Sequence, residues 1–158
     1  MGKNKSKIPE PKAAGAARCG AIYIPLKDGD ILGLGEENGS HHTAYVALKY
    51  YDPNAQCLSC WTKSELEALS GFIQKVSQMT WSQIHKSGGR RGRKVGLGYT
   101  LHKDNSMLPA KAKTLNTVSE DTNYFELRVT KRARVHGFRA NSTFFLVLLD
   151  KDHELFPE

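Results

Sequence analysis

The sequence predicts an α+β domain in which a mostly antiparallel, twisted sheet carries two consecutive helices on one face. Three observations lead there. Two capping boxes in succession, Thr62 with Glu65 and Thr80 with Gln83, open two helices in series. Downstream, "NYFELRVT", "ARVHGFR" and "TFFLVLLD" read as strands joined by connectors as short as "KR" and "ANS", which makes antiparallel hairpins the natural arrangement. At 158 residues the chain is long enough to bury a core within one domain.

Residues 1–20 mix Lys, Pro, Ala and Gly without period and are expected to form a disordered basic tail, leaving 21–158 as a single α+β domain. "GAIYIPL" reads as a short edge strand closed by the turn "KDGD". "ILGLGEENGSHH" is Gly-rich, but it lacks the strand and helix that a phosphate-cradling loop requires, so it reads as a plain loop. "TAYVALKYYD" (Thr43 to Asp52) is a strand ended by "DPN".

In the first helix, Leu66, Leu69, Phe72, Ile73 and Val76 recur at helical spacing and predict one buried stripe, with Trp61 and Leu66 placed as a hydrophobic staple. The second helix runs through Trp81 and Ile84 toward His85 and is stopped by "SGGRRG". "KVGLGYTLH" (Lys94 to His102) reads as a strand weakened by two glycines. The polar stretch "KDNSMLPAKAKTLNTVSEDT" reads as a long loop, of a length at which function or mobility is suspected. The order β, α, α, β, β, β, β puts both helices on one face of the sheet.

Net charge is +7 and comes in blocks: Lys3 to Arg18, Lys86 to Lys94 ("KSGGRRGRK") and Lys131 to Arg139. One such block usually just solvates a surface; three on a small domain point to a polyanionic partner, a nucleic acid that is either RNA or DNA. No apolar run approaches the ~18 residues of a membrane helix, and the basic N-terminus lacks the apolar centre of a secretory signal. A cytoplasmic location without a membrane partner is therefore expected.

Cys19, Cys57 and Cys60 are an odd number, which argues against a disulfide framework. "QCLSCW" holds half of a zinc site, but no second pair stands at finger spacing, so two packed thiols beside Trp61 are expected and neither metal nor cofactor.

"FFLVLL" is apolar at every position, as in a central strand covered on both faces. Its neighbours alternate. Phe125, Leu127 and Val129 point one way and Glu126, Arg128 and Thr130 the other, while Arg134, His136 and Phe138 share a face. Arg128, Arg134 and His136 are thus expected to converge on the sheet face the helices leave open, with Lys131, Arg132 and Arg139 at its rim.

Element order and the ending "ELRVTKRARVHGFRANSTFFLVLLDKDHELFP" resemble the RelE/ParE superfamily of small bacterial toxins, over about residues 43–157. The resemblance implies a β-α-α-β-β-β core, action on messenger RNA at the ribosome, and a cognate protein that neutralises the toxin by covering its basic face. The chain has Phe156 where such toxins often end in Tyr.

Metal-independent RNA cleavage needs a base for the 2′-OH proton, a cation for the charged phosphorane and an acid for the leaving oxygen. On this chain Arg128 and Arg134 would hold the phosphate, His136 would act as acid or base, and His153 or Lys131 would complete the pair. His153 alternatively pairs with Asp150 or Asp152 in a structural contact. Arg90, Arg91, Arg93 and Lys94 of the Gly-rich loop, with Arg132 and Arg139, are candidate nucleic-acid contacts that supply affinity and not base specificity. The same face serves equally for a non-catalytic nucleic-acid-binding or protein-interaction module.

Overall fold

The computed structural model describes residues 41–88 and 96–156, together with the backbone of 16–19 and 22–25. Strands β1 (Ala16–Cys19) and β2 (Ile22–Pro25) pair antiparallel in a two-stranded ribbon. Ala16–Cys19 lies at the end of the stretch expected to be an unstructured tail and is instead a strand.

The main sheet holds β3 (Tyr45–Ala47), β4 (Thr100–Leu101), β5 (Tyr124–Arg128), β6 (Arg134–Ala140) and β7 (Thr143–Asp150), in the spatial order β3-β7-β6-β5-β4. All pairings are antiparallel except that of β3 with β7, so the sheet is mixed. Two of the expected strands are shorter: "TAYVALKYYD" is strand over Tyr45–Ala47, and of the described part of "KVGLGYTLH" (96–102) only Thr100–Leu101 is strand, because Gly96 (φ +114°) and Gly98 (φ +58°) take the chain out of extended geometry; Lys94 and Val95 lie outside the described residues.

Helices α1 (Lys63–Ser77) and α2 (Trp81–Lys86) start where the capping boxes put them. Thr62 N–H donates to Glu65 Oε2 at 2.7 Å, and Thr80 N–H to Gln83 Oε1 at 2.9 Å, each box closing in the other direction as well. The buried stripe of α1 is narrower than expected. Leu69, Phe72 and Val76 are buried, whereas Leu66 and Ile73 are 36% and 41% exposed. At ~100° per residue those two sit on one shoulder of the stripe, beyond the reach of the sheet.

The helices pack on Phe125, Leu127, Val135, Phe144, Leu146 and Leu149, which share one face of the sheet. The opposite face is not open. The long polar loop, in which function or mobility is suspected, lies across it, with Leu108, Ala112 and Leu115 packed on Tyr124, Phe138, Val147 and Leu148, and Phe156 completes the layer. β7 is therefore covered on both sides, as its all-apolar run requires.

Asp52 fixes that cover. Its carboxylate accepts from Lys113 N–H at 3.0 Å and from the Asn54 backbone and side-chain amides at 3.0 and 2.6 Å, while its own N–H donates to Val147 C=O at 2.9 Å. Thr114 Oγ1 adds a 2.6 Å bond to Tyr50 C=O. Val147 is the extra residue of a β-bulge: His136 opposes Leu148, but Gly137 opposes Leu146. Gly137 is required there, since a Cβ would sit 2.0 Å from Phe145 O and 2.9 Å from the Phe144 ring.

Candidate functional site

Alternation along β5 and β6 puts Glu126 and Arg128 opposite His136 and Arg134, and β7 brings Asp150 opposite Arg134. Arg128, Arg134 and His136 thus share a face as expected. They do not form an open basic concavity, because the loop and the C-terminal segment seal that face.

Arg134 is 7% exposed and points back into its own hairpin. Its Nη1 faces the carbonyls of Thr130, Lys131, Arg132 and Ala133 at 3.1 to 3.4 Å, and its Nε lies 3.5 Å from Glu126 Oε1. A guanidinium so occupied shapes a turn and is not presented to a phosphate. Arg128 is half-buried and lies along Gly98, where a Cβ would come within 3.1 Å of its Cζ. Lys131 and Arg132 are exposed at the turn, and Arg132 pairs with Asp152 at 2.9 Å. His153, held in left-handed backbone at φ +59°, places Nε2 3.4 Å from Glu126 Oε2, off the line of a hydrogen bond. Its neighbour is Glu126 and neither Asp150 nor Asp152.

His136 is fully buried. Its Nε2 lies 3.4 Å from Asp150 Oδ2 and its Nδ1 3.2 Å from His102 Nε2, with the two imidazoles stacked at 5.2 Å between centroids. Phe156 caps both rings at 4.8 and 4.6 Å. Asp150 also accepts from the Glu154 and Leu155 amides at 2.9 and 3.0 Å. Burial pushes the Asp150 carboxyl up, but the bonds from His136 and those two amides outweigh it and hold the group below its ordinary value. Burial, reinforced by His136, lowers His102 to about 4. The result is a chain Asp150–His136–His102 that runs from the core to a half-buried imidazole.

Neither His102 nor Asp150 stands out as a site residue in the sequence. The first closes a Gly-weakened strand and the second ends an apolar one. Only the register of Thr100 with Glu126 and of Glu126 with His136 brings them together. That register was not readable in advance, because the 21 residues from Lys103 to Asn123 separate β4 from β5.

Arg139 does not rim this face. It pairs in register with Phe144 on the helix side, where its guanidinium lies over the Trp81 ring at 4.8 Å and its Nε donates to Asn141 C=O at 2.6 Å. There it lines a cleft of about 450 Å³ with His85, Tyr99, Asp121, Thr122 and Asn123. His85 meets Tyr99 edge to face at 4.8 Å. Burial, with Arg139 nearby, lowers the His85 pKa, and burial raises that of Tyr99. Arg90, Arg91, Arg93 and Lys94 lie outside the described residues; the flanks of their segment, Ser87 and Gly96, touch at the same end of the molecule as His85 and Tyr99.

The "QCLSC" stretch makes a single 3₁₀ turn (Leu58–Cys60). Cys57 is half-exposed and Cys60 exposed, so they are not the packed thiols expected, and hydrogen bonds from the Ser59 hydroxyl and amide lower the Cys57 pKa. Among the described residues no group of three His, Cys, Asp or Glu side chains is arranged to hold a metal ion, and no helix is long and apolar enough to cross a membrane.

Fold and site together define an α+β protein with an imidazole–carboxylate chain that runs from the core to a half-buried histidine on one face of its sheet, and an aromatic, Arg-lined cleft beside the other. Comparison with protein-family models, curated proteins and solved structures finds no match for the chain.

Proposed function

We propose that this is an RNA-directed protein that grips a single strand in the cleft formed by His85, Tyr99 and Arg139. One observation carries the reading: a guanidinium seated on Trp81 beside an aromatic pair, in a cleft of about 450 Å³, at the end of the fold where the Arg-rich segment begins and ends. A stacking surface beside fixed positive charge is what single-strand binding uses, because every base has a π-face and every phosphate a charge. Thr122 and Asn123 add neutral hydrogen-bonding groups.

A toxin-like effector with a RelE-like core, acting on messenger RNA and neutralised by a partner protein, is the fuller form of the proposal. Its basic contact surface is the cleft and the Arg-rich segment, since Arg134 and His136 are enclosed. The test is fluorescence anisotropy with labelled single-stranded RNA, single-stranded DNA and duplex DNA across a salt series. Tighter binding to single-stranded RNA, with log K falling linearly in log salt, is the expected result. Binding to none of the three at low salt rejects the proposal. Growth arrest on expression in a bacterial host distinguishes the effector from a harmless binder.

A further inference from the structure

We propose that His102 is the catalytic base of an RNA-cleaving centre, with His136 and Asp150 as the positioning residues that receive the charge it collects. The inference rests on the reading of the chain as RNA-directed and names a site apart from the cleft and from the residues the sequence suggests.

Asp150 is held as a hydrogen-bond acceptor by two backbone amides, so the hydrogen between it and His136 sits on His136 Nε2. A single hydrogen lies between His136 Nδ1 and His102 Nε2, and in the step proposed it starts on His102 Nε2 with His136 Nδ1 as its acceptor. His102 Nδ1 is left with its lone pair. Among the described residues that atom has no partner, yet it is not among the side-chain atoms sealed from solvent without one. Two buried groups, His136 and Asp150, thus leave one nitrogen of the half-buried His102 outside the chain of hydrogen bonds.

The arrangement resolves a difficulty. Alone, His102 is a poor base, lowered to about 4 by burial and by His136. In the chain it need not keep the charge. A proton taken at Nδ1 lets the Nε2 hydrogen pass to His136 Nδ1, and the imidazolium forms against the Asp150 carboxylate 3.4 Å away. Orientation of an imidazole by a buried carboxylate is the same logic that serves nucleophile activation elsewhere.

The surroundings fit a phosphodiester with a neighbouring hydroxyl. The exposed Lys111 places Nζ 5.5 Å from the Phe156 ring, which packs against both imidazoles, so a cation and the histidine pair share one aromatic neighbour. β4 is the edge of the sheet, and Tyr99 of the cleft precedes His102 by three residues, or about 10 Å of extended chain. A strand held at Tyr99 reaches His102 around that edge without crossing the core. In the step proposed, the 2′-OH gives its proton to His102 Nδ1 and the 2′-oxygen attacks the adjacent phosphorus. The P–O5′ bond breaks, the leaving 5′-oxygen takes a proton from water, and the products end in a 2′,3′-cyclic phosphate and a 5′-hydroxyl.

The test uses the full chain, wild type and His102→Gln, with a 5′-labelled single-stranded RNA, its 2′-O-methyl counterpart and the matched DNA. Binding is read by anisotropy and cleavage by gel. Expected are cyclic-phosphate ends from RNA alone, binding without cleavage of the 2′-O-methyl strand, and a loss of cleavage of at least about 100-fold in His102→Gln. That variant should keep wild-type binding and an unchanged circular dichroism spectrum; if it does not, His102→Asn repeats the measurement. Cleavage at the wild-type rate by a folded His102 variant overturns the inference. RNA binding without cleavage by the wild type overturns it while leaving the RNA-directed reading intact, and absence of both rejects the two together.

Discussion

His102 Nε2 and His136 Nδ1 approach to 3.2 Å with their rings 27° from parallel, under the shared cover of Phe156. Only one of the two nitrogens can carry the hydrogen between them, so a charge on both rings at once would leave two N–H groups facing each other.

This makes the fold sensitive to acid. The His102 pKa falls from 6.5 in the unfolded chain to about 4 in the folded one, so below pH 6.5 the unfolded chain binds the extra proton. Stability is full above pH 6.5 and is lost as the pH drops toward 4. Asp150, also lowered, acts in the same direction at still lower pH. His102 is half-buried and partly screened, so its share is about 1–2 kcal/mol. Urea melts at pH 7.5 and pH 5 should show that loss, and His102→Gln should flatten the dependence.

Asp52→Ala removes the acceptor for Lys113 N–H and for both Asn54 amides. A loss of about 2–3 kcal/mol is expected. Hydrogen exchange should speed up at Lys113 first, because the cover is released before the sheet.

Gly137→Ala drives a Cβ into the Phe145 carbonyl, a backbone atom that cannot move without undoing the β6–β7 bulge. The cost should reach about 3 kcal/mol or more and appear as a lower urea midpoint or as insoluble protein. Gly71→Ala, with nothing within 4 Å and on an exposed helix surface, should instead stabilise by about 0.5–1 kcal/mol.

Arg134→Ala leaves Glu126 buried at 7% exposure without its guanidinium, at a cost of about 3 kcal/mol. Adding Glu126→Gln should recover part of it. Loss of RNA binding in the double variant, with the fold intact, would contradict the structural role assigned to Arg134.

Arg139→Ala should weaken RNA binding and reduce the slope of log K against log salt by about 1 if the guanidinium meets a phosphate. An unchanged slope would place Arg139 as packing for Trp81 alone.

Much of this architecture was legible in the residues. The capping boxes fixed both helix starts because their signals are local. The alternation in β5 and β6 correctly put Arg128, Arg134 and His136 on one face, since side chains of a strand must alternate. What alternation cannot tell is what lies on top. Leu108, Ala112 and Leu115 fall at i, i+4 and i+7, but three apolar residues in a polar, Pro-containing stretch do not announce a covering layer, so the open basic face turned out to be closed. The β-bulge is another such case. It puts Phe144 and Leu146 on the helix side together with Leu149, and the sequence marks it only by one glycine. His102 was hidden for a third reason, because the pairing of β4 with β5, which brings it to its partners, spans the 21 residues from Lys103 to Asn123.

The two outermost strands of the main sheet are three and two residues long, Tyr45–Ala47 and Thr100–Leu101. So few unpaired main-chain groups give a foreign peptide little to zip onto. A neutralising partner of the kind proposed would have to recognise it by side chains and shape, and its affinity should respond to point changes on the surface more than to any mimicry of a missing strand.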